Sequence, residues 1–141
     1  MIKIKVLDEK CRPIRGTKDS AGIDLKAKIS EPIKLKSMER CCIPVGIAVE
    51  IPIGYVGDVR PRSGLARDHG VVTTYGTIDS DYRGEIFVNL INLSQEIYEI
   101  KPYERVAQLV VVKLDDNEIE FVDELSETDR GIGGFGHTGK F

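Results

Sequence analysis

The sequence predicts an all-β sandwich or barrel, on three observations. Apolar and polar residues alternate in steps of two through several short segments, separated by turn residues every 8–12 positions. Prolines 32, 44, 52, 61 and 102 fall where those segments begin or end, positions at which a strand tolerates a missing N–H donor. No segment carries a long apolar stripe of helical period; the one helix expected is a turn or two at Ser63–Asp68. The 141 residues suit one domain. A chain of that size buries about 68–70% of its unfolded surface without needing disulfides or metals as staples.

Taken along the chain, Ile2, Ile4 and Val6 alternate with Lys3 and Lys5, a half-buried first strand. Ala21-Gly22-Ile23-Asp24-Leu25 sets an acid two residues after a glycine, at the head of a strand-like run. Ile47, Val49 and Ile51 alternate with Ala48 and Glu50, and Tyr55, Gly57 and Val59 with Val56, Asp58 and Arg60. Pro61-Arg62-Ser63-Gly64-Leu65-Ala66 ends that strand and opens the short helix. An arginine, a hydroxyl and free N–H groups would then point at one spot, an anion site. Gly76-Thr77-Ile78-Asp79-Ser80-Asp81-Tyr82-Arg83-Gly84 reads as a hairpin carrying acids, a tyrosine and an arginine. Ile86, Val88 and Leu90 interleave with Phe87, Asn89 and Ile91, an apolar mixture that predicts burial on both faces. Val106–Leu114 is a β-branched run of the same kind, with Gln108 where an apolar residue would be expected.

Charge narrows the class. Twenty Lys+Arg against 23 Asp+Glu give −3, which excludes a generally basic nucleic-acid binder. Eight acids and no base lie between Leu114 and Asp129, a solvated edge and linker. The rest of the chain therefore carries −3 + 8 = +5, a balance that suits an anionic ligand. The longest apolar run, Cys41–Val49, is too short to span a membrane, and Met1–Asp8 lacks the apolar core of a signal peptide. The three cysteines cannot all pair, Cys41 and Cys42 are adjacent, and no second Cys/His pair sits at zinc spacing. Free thiols in a reducing cytoplasm, away from membranes, are the expectation.

The last twelve residues, Arg130–Phe141, include five glycines and should be mobile when unliganded, since glycine costs the most backbone entropy to order. Arg130, Phe135, His137, Thr138 and Lys140 interleave with those glycines. That cationic, aromatic, amide-rich strip suits a phosphorylated ligand bearing a flat base. Gly131, Gly133 and Gly136 match the dinucleotide fingerprint, and Gly134, Gly139 and Lys140 match part of a P-loop. Both patterns need a helix after them, and only five residues follow Gly136.

Each segment alone has an ordinary reading: Asp24 as a turn acid, Asp79-Ser80-Asp81 as a polar hairpin tip, Gln108 as a satisfied core amide. Together they supply acids for a metal or a water, an Arg–Ser anion site, a hairpin with an aromatic, and a glycine-rich Arg/Phe tail. Those are the parts of a nucleotide hydrolase.

In these segments the chain resembles the trimeric dUTP pyrophosphatases (dUTPases), with five motifs in family order: Ala21–Leu25, Pro61–Ala66, Gly76–Gly84, Glu104–Leu109 and Arg130–Gly139. The resemblance implies a jelly-roll-like fold over residues 1–129 and a flexible arm, residues 130–141, completing the site of a neighbouring subunit in a homotrimer. It implies hydrolysis of dUTP to dUMP and pyrophosphate with Mg²⁺, held through water by Asp24. Asp79 would activate the attacking water, and Tyr82 would pack on the deoxyribose and exclude a 2′-hydroxyl. The hairpin around Val72–Ile78, including Thr73, Gly76, Thr77 and Ile78, would read the uracil edge. Thr73 stands where many members have Asn, and it supplies only a hydroxyl. Arg62, Ser63, Gly64 and Gln108 would bind phosphates or their waters. Arg130 would clamp the terminal phosphate, Phe135 would stack over uracil, and Gly136, His137 and Thr138 would complete the phosphate contacts. Two rivals share these features: a dCTP deaminase on a similar fold, and a binding module that senses a nucleotide without hydrolysing it.

Overall fold

The apolar run Cys41–Val49 sets the longest strand. Ile43, Val45, Ile47 and Val49 of β5 (Arg40–Glu50) are buried, and the strand is the spine of a four-stranded antiparallel sheet ordered β1-β5-β9-β7. Its companions are β1 (Lys3–Val6), β9 (Glu85–Asn92) and β7 (Val71–Thr73). A five-stranded sheet faces it, ordered β2-β3-β11-β6-β8: β2 (Ile14–Arg15), β3 (Gly22–Lys26), β11 (Arg105–Lys113), β6 (Tyr55–Pro61) and β8 (Gly76–Ile78). A two-stranded ribbon of β4 (Ile33–Leu35) and β10 (Tyr98–Ile100) closes one end. This is a computed structural model, and it describes residues 1–115 and 118–134.

The sheets stack as a sandwich and do not close into a barrel, so of the two all-β forms expected, the sandwich is the one adopted. Ile43, Ile47, Val88 and Leu90 from one sheet and Leu25, Val59, Ala107 and Leu109 from the other belong to one buried cluster. Burial of β9 on both faces does not hold. Ile86, Val88, Leu90 and Asn92 are buried, while Phe87 is 52% exposed. Among the described residues no second layer covers the outer face of the four-stranded sheet there, so Phe87 stays exposed and Ile91 only partly buried.

The helix α1 (Ser63–His69) follows β6 where expected, one residue longer. Buried Leu65 anchors it, and Gly70 ends it at φ 66°, donating its N–H to Ala66 O. Ser94 packs against Gly70 so closely that a Cβ would stand 2.9 Å from the Ser94 Cβ. The left-handed conformation and the crowding both require glycine there.

One buried polar residue ties the ribbon to the sandwich. Asn92 is 0% exposed, and its Nδ2 donates to Leu35 O at 2.9 Å and Glu96 O at 2.7 Å. Its Oδ1 accepts the N–H and the hydroxyl of Ser94. All four hydrogen-bonding capacities of the amide are thus used. Replacing it by alanine leaves the buried Leu35 carbonyl without its donor. Asn92→Ala is expected to cost roughly 2–4 kcal/mol, read as a lowered urea midpoint with an unchanged slope.

Candidate active site

Three of the expected site residues meet on the outer face of the five-stranded sheet. The register sets Gln108 of β11 opposite Asp24 of β3 on one side and opposite Arg60 of β6 on the other. Because side chains alternate across a strand, Gln108 and Asp24 stand on one face with Arg60, and Arg62, just past the end of β6, is the third expected residue there. Asp24 accepts Arg62 Nε on Oδ1 at 3.1 Å and Arg105 Nη1 on Oδ2 at 3.0 Å. Arg62, the N-cap residue of α1, makes no side-chain capping bond; its Nη1 reaches Arg105 O at 3.0 Å instead. One carboxylate against two guanidiniums leaves a net positive charge beside the exposed Ser63. Arg105 lies inside an expected motif but was assigned no role from sequence, because its partner Asp24 is 81 positions away.

Gly22 and Gln108 explain each other. A Cβ on Gly22 would collide with the Gln108 side chain, so the bare backbone makes room for the amide. Gln108 is half-buried and donates Nε2 to Pro61 O at 3.0 Å. Its Oε1 has no hydrogen-bond partner among the described residues. A Cβ on Gly64, by contrast, would meet nothing within 4 Å. The chain's own packing therefore does not demand glycine there; it leaves the Gly64 backbone open to close approach.

Behind Arg62, the Tyr98 hydroxyl donates to Glu104, whose other oxygen accepts the Lys101 N–H at 2.9 Å. Burial, and then the adjoining carboxylate, push the Tyr98 phenol above its usual range against the opposing pull of Arg62. This support for the start of β11 has no local sequence signal, since an isolated Tyr and Glu carry no pattern.

Asp79 and Tyr82 lie elsewhere. With Thr77, Ile78, Glu85, Ile86 and Phe87 they line a cleft of about 250 Å³. Asp79 is exposed, and its carboxylate makes no hydrogen bond or ion pair among the described residues. The Tyr82 hydroxyl donates to Glu85 O at 3.0 Å, and its ring lies against Gly84, where a Cβ could not fit. None of Asp24, Arg62 and Gln108 lines that cleft. The two groups of expected residues thus stand at separate places on one chain.

The expected hairpins do not form: β7 pairs with β9 in the four-stranded sheet and β8 with β6 in the five-stranded one, so Val72–Ile78 crosses from one sheet to the other and Gly76–Gly84 crosses back. Gly76 packs on Val59, Thr77 is exposed and Ile78 is buried. Thr73 is 8% exposed, and its Oγ1 finds no hydrogen-bond partner among the described residues. Tyr75, in the link between β7 and β8, donates its hydroxyl to Asp58 Oδ2 at 3.2 Å, the same oxygen that accepts Arg60 Nη2 at 2.8 Å. Arg130 is exposed and donates Nε to Gly133 O at 2.8 Å within its own turn. Phe135, Gly136, His137 and Thr138 lie outside the described residues.

No three His, Cys, Asp or Glu side chains among the described residues gather to ligate a metal directly. Asp24 nevertheless suits a hard cation held through water. Each of its oxygens accepts one guanidinium N–H and keeps a lone pair for a metal-bound water. No helix among the described residues is long and apolar enough to cross a membrane.

Residues 8–139 match the family model for dUTPase. The chain is 50% identical over 143 residues to the deoxyuridine 5'-triphosphate nucleotidohydrolase of Fusobacterium nucleatum subsp. nucleatum, covering 99% of this chain and 98% of that protein. It is 54% identical over 129 residues to the protein of the same name from Treponema denticola, covering 90% of each. Among solved structures, a variant of the Staphylococcus bacteriophage 80alpha dUTPase with dUpNHpp superposes with a TM-score of 0.83 at 30% identity, covering 99% of this chain and 98% of that one. A variant of the phage phi11 dUTPase, described with a structural Mg(II) ion, gives 0.78 at 28% identity over 90% of this chain and 99% of that one. On the motifs, the sandwich and these matches alike, the chain belongs to the dUTPase family.

Proposed function

We propose that this chain is a Mg²⁺-dependent dUTP diphosphatase that works as a homotrimer in the cytoplasm, converting dUTP and water to dUMP and pyrophosphate. The reaction keeps uracil out of DNA and supplies dUMP for dTMP synthesis; its substrate is the free nucleotide, not nucleic acid or a membrane. The observation that carries this reading is the exposed Asp79 carboxylate, unpaired among the described residues, in a cleft beside Tyr82. A general base needs a free carboxylate that can face a water.

Phosphoryl transfer offers a protein little covalent work, so positioning and charge neutralisation dominate. Asp79 orients a water toward the α-phosphorus and takes its proton, while pyrophosphate leaves. Arg62, Ser63, the open backbone at Gly64 and the free Oε1 of Gln108 receive phosphates or their waters; the surplus positive charge around Asp24 favours the polyanion. Mg²⁺, held through water by Asp24, supplies further neutralisation of the phosphate oxygens when bound. Backbone groups of the Val72–Ile78 segment, Thr73 among them, read the uracil edge. Tyr82 packs on the deoxyribose.

The separation of Asp79 from Asp24 and Arg62 on one chain supports a site assembled between subunits. So does the exposed apolar strip of Ile119, Phe121 and Leu125, with Phe121 96% exposed. Such surface is normally covered by a partner. Residues 1–129 form the body. Residues 130–141 form an arm that brings Arg130, Phe135, Gly136, His137 and Thr138 to a neighbour's site. The cytoplasmic assignment rests on free Cys11, Cys41 and Cys42.

Pyrophosphate release across a nucleotide panel, with and without Mg²⁺, tests the assignment; dUTP is expected to be the preferred substrate, and ammonia release from dCTP would indicate a deaminase instead. In that assay Asp79→Asn is expected to keep its fold and lose about 10²–10⁴-fold in kcat; an unchanged kcat removes Asp79 from the mechanism. Truncation after Asp129 is expected to leave the oligomer intact by sedimentation while hydrolysis falls to a small residue. Full activity in that protein would show that the arm is not part of the site.

A further inference from the structure

Exclusion of a hydroxyl by an aromatic ring works only if the ring cannot yield. Tyr82 is 43% exposed and sits on a turn, so its stiffness must come from what grips it. Its ring lies against Gly84, and among the described residues its hydroxyl makes one hydrogen bond, to Glu85 O at 3.0 Å. Glu85 opens β9 and is itself anchored through its side chain. Its Oε1 accepts the Gly46 N–H at 3.0 Å and Lys28 Nζ at 3.1 Å, and its side chain is only 22% exposed.

Gly46 is an unusual anchor. It lies at φ 68° in β5, where the pairing with β9 slips between Pro44 and Ala48 and resumes at Ala48 opposite Glu85. A Cβ there would stand 2.6 Å from the Cys11 Cβ, so the glycine is required by crowding as well as by conformation. The bulge takes the Gly46 N–H out of the regular ladder, and the Glu85 carboxylate satisfies it.

We propose that Glu85 is a specificity-determining positioning residue: by gripping the Gly46 bulge it fixes the carbonyl that holds the Tyr82 phenol, and so sets the rejection of ribonucleotides. The inference rests on the reading of Tyr82 as the group that excludes a 2′-hydroxyl. Glu85 does not act on the reacting atoms; its effect falls on the choice between UTP and dUTP rather than on turnover of both.

The test is kcat/KM for dUTP and for UTP, by pyrophosphate release, in the full chain and in Tyr82→Ala, Tyr82→Phe, Glu85→Ala and Glu85→Gln. Glu85→Ala is expected to raise the UTP-to-dUTP ratio about three- to tenfold, the worth of one hydrogen bond. Glu85→Gln keeps an acceptor for the Gly46 N–H and is expected to restore the wild-type ratio. A purely structural lesion would lower both substrates together and leave the ratio alone. If Tyr82→Ala leaves the ratio unchanged, the reading of Tyr82 fails. If Tyr82→Ala raises it but Glu85→Ala does not, or Glu85→Gln raises it as much as Glu85→Ala, the role of Glu85 is overturned. Should Glu85→Ala show no thermal transition, Tyr82→Phe decides. It removes only the gripped hydroxyl from an exposed ring; a raised ratio supports the proposal, and an unchanged one overturns it.

Discussion

Two guanidinium groups and one carboxylate meet where β3, β6 and β11 run side by side, and much of the molecule serves to bring them there. Asp24 comes from the first of these strands, Arg62 from the end of the second and Arg105 from the start of the third. A carboxylate facing two arginines lowers the cost of holding like charges close, yet leaves the group cationic overall. That balance lets a body with no ligand tolerate charges whose purpose is to meet a polyphosphate. The register of β11 against both neighbours is the condition for it. A slip of one residue would turn Gln108 inward and bring its apolar neighbours out.

Polar groups inside the sandwich act as joints. Asn92 ties β9 to β4 through one bond, to Leu35 O, and to the loop before β10 through three more, and Glu85 takes up the amide that the Gly46 bulge releases. Both residues lie on β9, at opposite ends, and both compensate for backbone that leaves the regular ladder. The strand thus carries apolar packing along its middle and structural accounting at its ends. The turn bearing Asp79 and Tyr82 crosses from β8 in one sheet to β9 in the other and meets β9 at its Glu85 end.

The long strands were legible in two ways: Ile86, Val88 and Leu90 of β9 follow the period of two, while β5 and β11 read as apolar runs, buried at consecutive positions over Val45–Val49 and at Val106, Ala107, Leu109 and Val110. The short strands β2, β4, β7, β8 and β10 span two or three residues apiece and hold too few side chains to show a period. Phe87 and Ile91 read as core because a sequence cannot say which face of a sheet receives a second layer. Among the site residues, Asp24, Arg62, Asp79, Tyr82 and Gln108 stood out through their motifs. Arg105, Glu85, Tyr98 and Asn92 did not, since each draws its meaning from a partner that the folded chain supplies.

By itself the sequence determined the residue types available for nucleotide chemistry, the all-β class and the position of the one short helix, because these follow from local periodicity, turn chemistry and motif order. Tertiary structure alone decided that the sheets stay open as a sandwich, that Asp24 serves two arginines, and that Asp79 stands apart from the cationic cluster on a single chain. Those outcomes depend on strand register and on contacts between residues far apart in sequence, and no local pattern encodes a distance across the fold.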